Sequence, residues 1–480
     1  MSARTTRSRA KAHPAPAADP QTDSHARSPK PASSTKSSAD VDAHCEYEFG
    51  GPVGTLAMML VFPVLMYYFY VCLWYFDGQL SYPASLADFR PWLDHMLFCA
   101  SSALPTYRAA AIYLGFMAYQ LVLAFVMPGV PQYGLPVKSL GGKKLPYYCN
   151  ALSSFYATCV TVAALHYYDL FHLGQLIDNF GPIMSVAMIT GFVVAVFCYA
   201  ATVLFGTPIR MSGNIIYDYF MGAVLNPRIG FVDIKMWCEV RIPWVLLFVL
   251  SLAGVSRQYD TYGYVSPNQA FMVLATGLYI NACAKGEECI PQTWDMTYEK
   301  FGWLLSFWNL AGVPFMYCYS IIYMATRDPA VYRYPTYITV LIYVTLMVSH
   351  YFFDTSMAQK SKFKAQDYGD YKMRKTFPQW PYSKVENPKF ITTPTGSKLL
   401  VDGWWAYARK PNYAADFIQN LTWALIAGFG SAIPYYQPLF FFAMLIHRTN
   451  RDFDKCARKY GKTWEEYCRL VPYKFIPGVY

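Results

Sequence analysis

The residues with the types and spacing to do chemistry are densest near the C-terminus. Around position 350 the chain reads His350-Tyr-Phe-Phe-Asp354, then Gln359-Lys360-Ser-Lys362-Phe-Lys364. Lys360 and Lys364 are four apart, so a helix would place them on one face. Leu399-Leu400-Val-Asp402-Gly-Trp404-Trp405 and Arg409-Lys410-Pro-Asn412-Tyr413 follow, with Asp416 at the start of an apolar run. His447-Arg448-Thr-Asn450-Arg451-Asp452, then Cys456-Ala-Arg458-Lys459-Tyr460 and Tyr467, complete the group. Together they supply cations for phosphates, indole and phenol faces for stacking, and amides for hydrogen bonds. A dinucleotide with a pyrophosphate and an extra ribose phosphate asks for all three. Attraction to anionic lipid head groups would account for the basic residues alone. It does not call for Trp404, Trp405, Asn412 and Tyr413 among them.

A second polar group holds Tyr279 and Asn281 near the end of an apolar stretch, then Lys285, Glu287, Glu288, Asp295 and Glu299. Carboxylates at a membrane edge are costly unless paired, which makes Glu287 and Glu288 candidates for contact with a substrate. A third group, Asn214 to Gly222 with Asn226-Pro227-Arg228, reads as the capping and turning of a surface helix. The 12 cysteines form no CxxC pair and the 8 histidines no HxxxH pattern, so neither a metal site nor a disulfide framework is expected. Gly428-Phe429-Gly430 lacks a third glycine and there is no P-loop, which argues against a Rossmann domain.

Those residues must be positioned by elements that live in lipid. Of the 480 residues 55% are apolar and 15% charged, against about 25% charged in a soluble domain. From Gly50 to Phe76 there is no charged residue, enough to cross about 30 Å of hydrocarbon. Further spans are expected near 109–131, 147–168, 181–206, 242–256, 268–284, 301–325 and 333–353. The stretch from Tyr413 to Ile446 is too long for one crossing. Gly430 and Pro434 in its middle divide it into two. The expected architecture is an all-α polytopic membrane protein of about ten transmembrane helices, with a cytosol-facing C-terminal cofactor pocket. Residues 1–44, rich in Pro, Ala, Ser, Lys and Arg, read as a disordered cytosolic tail. Residues 45–350 would form a membrane domain of about eight spans, and 351–480 the cofactor-binding part with the last two.

Loop charge sets the orientation. The loops 132–146, 207–241 and 354–412 and the tail after Ile446 are basic, whereas 169–180 and 432–437 hold no Lys or Arg. These sets alternate if both termini face the cytosol and the number of spans is even. The net charge of +10 follows from that pattern, and nucleic acid is not an expected partner.

The blocks described above resemble the integral-membrane sterol reductases, the family of the carbon-14 sterol reductases, 7-dehydrocholesterol reductase and the lamin B receptor. The similarity runs from about Tyr47 to Tyr480. Tyr47-Glu-Phe-Gly-Gly51, Asn281-Ala-Cys-Ala-Lys285-Gly-Glu-Glu288 and Phe353-Asp354-Thr355 resemble the delta-24(24-1) branch, which reduces the side-chain carbon-24(28) double bond in ergosterol biosynthesis. Gly286 stands where carbon-14 reductases have Asn. The resemblance implies NADPH as cofactor, contacted by Lys360, Lys364, Leu400, Trp405, Asn412, Tyr413, Asp452, Cys456, Lys459, Tyr460 and Tyr467. It implies Asp452 and Tyr279 as candidate proton donors. Glu287, Glu288 and Asn281 are the expected substrate contacts. The sterol would enter from the bilayer of the endoplasmic reticulum, and association with other enzymes of the same pathway is a further expectation. An isolated alkene must be protonated before it accepts hydride, so the site needs an acid, a dry cavity, and rings or fixed charge around the cation.

Three alternatives stand beside this reading, one of them a non-catalytic sterol sensor or nuclear-envelope scaffold, which the long basic N-terminal segment would suit. Arg409-Lys-Pro-Asn-Tyr413 also resembles the cofactor segment of isoprenylcysteine-type membrane methyltransferases, which would imply S-adenosylmethionine. Within the reductases, a ring double bond at carbon 14 or carbon 7 is the competing substrate.

Overall fold

The computed structural model describes residues 47–137, 140–368 and 380–479. The expected tail, residues 1–44, lies outside the described residues, as does Lys138. Among the described residues, ten main helices carry the structure. They are α1 (Gly51–Tyr75), α2 (Tyr107–Val126), α3 (Ala151–Tyr167), α4 (Phe180–Phe205), α5 (Ile242–Tyr262), α6 (Pro267–Lys285), α7 (Trp303–Ala325), α8 (Thr336–Tyr368), α9 (Pro411–Leu425) and α10 (Ile433–Tyr460). Each falls on one of the expected spans. Six stretches are long and apolar enough to cross a membrane: α1, α2, α4, Ile234–Tyr262 ending in α5, α7, and most of α8. The other four fall short for visible reasons. α3 and α9 have 17 and 15 residues. α6 carries Asn268, Gln269 and Asn281, and α10 becomes charged from His447 onward.

Local sequence explains where helices start and stop. Thr106 caps α2 by accepting from the Ala109 amide at 3.1 Å. Ser266 caps α6 in the same way, with Pro267 in the first turn. α7 is interrupted by a π turn at Trp308–Gly312, just before Pro314. The expected all-helical reading needs one correction. The spans drawn at 109–131 and 147–168 run into an antiparallel hairpin, Val130–Val137 against Lys143–Cys149, with Val130 opposite Cys149. Pro128, Pro131, Pro136 and Pro146 cannot donate to a helix, so the chain extends there instead. Smaller two-stranded ladders pair Arg228–Ile229 with Val232–Asp233 and Phe390–Thr392 with Lys398–Leu400.

The connections collect into two sets. In one, Gln79 and Ser431 bond the backbone of Gly430 and Gly78, and Arg327 bonds the Leu73 carbonyl. In the other, Lys235 bonds the Asp295 and Glu299 carbonyls, Arg448 pairs with Asp295, and Lys285 pairs with Asp354. The second set adjoins the C-terminal residues singled out above. α8 packs along α9 and α6, and α5 along α6. α8 runs unbroken across residue 350, so the two expected parts of the chain share a helix.

Candidate active site

Five segments converge at the C-terminal end of α8. Trp405 anchors the junction: its indole N–H donates to the Ser356 carbonyl at 2.9 Å. The Lys360 ammonium lies over its ring, 4.1 Å from the centroid. Leu400 and Phe363 close a small apolar cluster beneath it. The turn that delivers Trp405 needs Gly403 at φ +59, where a Cβ would strike the Gln359 side chain that bonds the Trp404 amide at 2.9 Å.

The far wall is helix α10. Arg448, Asp452, Cys456 and Tyr460 are four apart and share a face. Lys410 pairs with Asp452 at 2.5 Å and lies 5.3 Å from the Tyr413 ring centroid. Burial disfavours the charge on each partner, and the opposite charge wins in both. Asp452 is held below the ordinary carboxylate range by Lys410, Lys360 and Arg448. Lys410 is held above its ordinary range by Tyr413 and Asp452. Lys364 faces the same group and senses Lys410, Asp452 and Lys459. Lys459 lies 4.9 Å from the Tyr460 ring, whose hydroxyl meets Ser397 at 3.4 Å. Tyr467, from the short helix Lys462–Leu470, is buried against Trp464. Burial pushes the Cys456 thiol up to about 11, so it is a neutral wall residue and not a nucleophile.

Asn412 is the informative member. It is 7% exposed, and its amide nitrogen reaches only the Met357 sulfur at 3.3 Å. Its carbonyl oxygen is buried with no partner among the described residues. A buried acceptor left unmatched costs about 1–3 kcal/mol, and a donor on a ligand would remove that cost. Cations for phosphate, rings for stacking and an open amide acceptor fit a reduced dinucleotide. Arg409 plays a different part. It bonds Cys468 and the Pro472 carbonyl, so it pins the C-terminus.

The description "Ergosterol biosynthesis ERG4/ERG24 family" matches residues 43–480. The chain belongs to this family. It is 45% identical to the Delta(24(24(1)))-sterol reductase of Gibberella zeae over 92% of its own length and 74% of that protein's. It is 44% identical to the Delta(24(24(1)))-sterol reductase erg4A of Aspergillus fumigatus, over 91% and 93%. The Delta(14)-sterol reductase of Dictyostelium discoideum is 33% identical over 91% and 92%. Membership decides the reading of Arg409 to Tyr413 for the reductases and against the methyltransferases.

In this ERG4/ERG24 chain the two expected proton donors sit in different places. Asp452 lies in the cation cradle. Tyr279 is buried among Trp244, Phe353 and Trp423, at ring distances of 4.6, 5.9 and 5.6 Å. Its hydroxyl faces a residue the sequence reading left without a role, Asp416. Asp416 accepts from Gln419 at 3.1 Å and Asn420 at 3.0 Å, and Gln437 braces Asn420. Asp416 is one helical turn beyond Asn412, so α9 carries the open amide and the buried acid on one face. A signal was available: Asp416 is the one charged residue between Tyr413 and Ile446.

The expected substrate contacts lie elsewhere. Glu287 is fully buried. It accepts from the Ala151 amide at 2.7 Å and pairs with buried Arg241 at 3.2 Å, beside Asn150 and Ser154. Glu288, also buried, meets Gln132 of the hairpin at 3.5 Å. Asn281 accepts from the Tyr156 hydroxyl at 2.8 Å. All three are engaged with the protein's own groups.

Proposed function

We propose that the chain reduces the side-chain carbon-24(28) double bond of an ergostane-type sterol with NADPH, the last step of ergosterol biosynthesis. The observation that carries the reading is the arrangement along α9: an open amide acceptor in a cation cradle, one turn from a buried Tyr279–Asp416 pair. The names of the two relatives near 45% identity choose the bond.

Lys360, Lys364, Lys410 and Lys459 would hold the phosphates, with Trp405, Tyr413 and Tyr467 offering ring faces. Asn412 would orient the carboxamide end. Bound there, NADPH supplies hydride. The protein's own task is the proton. Asp416 holds the Tyr279 hydroxyl, which gives a proton to the terminal methylene carbon and leaves positive charge at carbon 24. Trp244, Phe353 and Trp423 keep water away from that charge and turn ring faces toward it. Asp452 holds Lys410 in place and tunes the cradle. Glu287, Glu288 and Asn281 act by fixing the elements around the site.

The setting is a multi-pass protein of the endoplasmic reticulum membrane, with ten crossings and both termini cytosolic. Sterol profiles of cells lacking the chain test the proposal. A side-chain methylene sterol should accumulate and disappear on return of the native chain, but not of Asp416→Asn. Accumulation of a sterol with an extra ring double bond would move the chain to another branch of the family.

A further inference from the structure

Helices α2, α3 and α5, with the segment after Phe171, line a cavity of about 560 Å³ that opens to the outside of the helix bundle, within the usual range of about 300–1,000 Å³ for small-molecule sites. It is separate from the site above. The start of α3, Ala151, is bonded to Glu287, near the cradle end. The cavity instead lines the later part of α3, Thr158 to Leu165, about 10–20 Å further along at 1.5 Å per residue. α5 stands between the two sites: it turns Trp244 to Tyr279 and Leu246, Val249 and Leu250 to the cavity.

The walls are almost wholly apolar. Tyr119 and Thr161 satisfy each other at 2.7 Å. Polarity returns at one end, where Arg108 donates to Gln175 at 2.7 Å. Gly115 opens directly into the space, since a Cβ there would meet no atom within 4 Å.

We propose that this cavity is a second sterol site, holding one sterol molecule that is not the one being reduced. The rings would lie along the Gly115 face of α2, with the hydroxyl at the Arg108–Gln175 pair. The pair offers both donors and an acceptor, which one hydroxyl uses together. A two-chain phospholipid would have to leave a chain outside. An occupant bears on the same helix that holds Trp244 against Tyr279, so filling the site should alter turnover. The inference is independent of which sterol bond is reduced.

A photoreactive sterol with the purified full chain tests it, with NADPH oxidation read in parallel. Labelled peptides from α2 and α3 are expected, in addition to any from α6. Gly115→Phe, which fills open space, should cut the α2 and α3 labelling at least tenfold and leave α6 labelling in place. Gln175→Ala should weaken it several-fold, and unlabelled sterol should compete in the native chain even if Gly115→Phe is not recovered folded. Labelling confined to α6, or α2 labelling that unlabelled sterol does not reduce, overturns the proposal. So does a phospholipid retained by the native chain and lost from Gly115→Phe without any sterol label. Loss of cavity labelling with turnover intact falls on this inference alone, whereas absent turnover with labelling intact falls on the reductase reading.

Discussion

At the scale of single residues, the site separates holding from proton supply. Asp416 sits in an apolar run with two amide donors on its carboxylate and the Tyr279 side chain nearby. Asparagine there keeps the shape and removes the acid's role. Asp416→Asn should retain the fold and NADPH binding while turnover falls by about 10²–10⁴, the usual contribution of a positioned acid or base. A KM for NADPH that rises while kcat stays near normal would place Asp416 in the cradle instead. Asp452 behaves differently. Its folded pKa is depressed by Lys410, so the ion pair stabilises the cradle above about pH 4, the ordinary carboxylate value. That stabilisation is lost as the pH falls further, through the depressed value. Thermal unfolding of the detergent-purified chain between pH 3 and 6 should therefore be steeper in pH for the native chain than for Asp452→Asn. Asp452→Asn should also lose most turnover. Parallel pH curves would show that the pair adds nothing to stability, and near-normal turnover of the purified variant would show that the cradle does not need Asp452.

At the scale of elements, the buried pair of Glu287 and Arg241 ties the start of α3 to α5 and to the turn after α6. Removing one partner leaves a buried charge alone, at a cost of about 3–5 kcal/mol. Glu287→Ala should sharply reduce the folded yield and the melting temperature, while the KM for sterol in the surviving fraction stays unchanged. A stable variant with a raised KM would restore Glu287 to the substrate. The same residue shows what a sequence discloses. Lys360, Trp405, Asn412 and Asp452 were legible as members of one dense polar group beside apolar runs, while their part in holding a cofactor came from the family resemblance. Glu287 was legible as costly, but not as satisfied, because its partners Arg241 and Ala151 are distant in the chain and meet only in three dimensions. The hairpin of Val130–Val137 and Lys143–Cys149 was hidden by hydropathy, which scores a proline-broken strand much as it scores the end of a span. Asp416 was visible and went unused, since its meaning depends on Tyr279 facing it across α6 and α9.

At the scale of the whole molecule, orientation follows from where the charges and connections gather. The set with Gly78, Leu73, Gly430 and Gln175 lies at one end of the helices, and the cation cradle at the other. The proposed topology, ten crossings with both termini cytosolic, would put the cradle where NADPH is supplied and the 169–180 connection in the lumen. An N-glycosylation acceptor inserted after Asp169 should then be modified in cells, and one placed in the 393–397 turn beside Tyr460 should not. The native Asn420-Leu-Thr422 sequence gives no background, because Asn420 is buried between Asp416 and Gln437. Modification in the 393–397 turn would place the cradle in the lumen. Modification at neither site would mean that the connection after α3 stays on the cytosolic side, and the alternation of loop charge would then need a different count of crossings. The lumenal outcome bears on chemistry as well as topology: α9 leads from the cofactor cradle at Asn412 to the buried acid at Asp416 within a single turn, so a lumenal cradle would cut the same turn off from the cytosolic NADPH on which the proposed reduction depends.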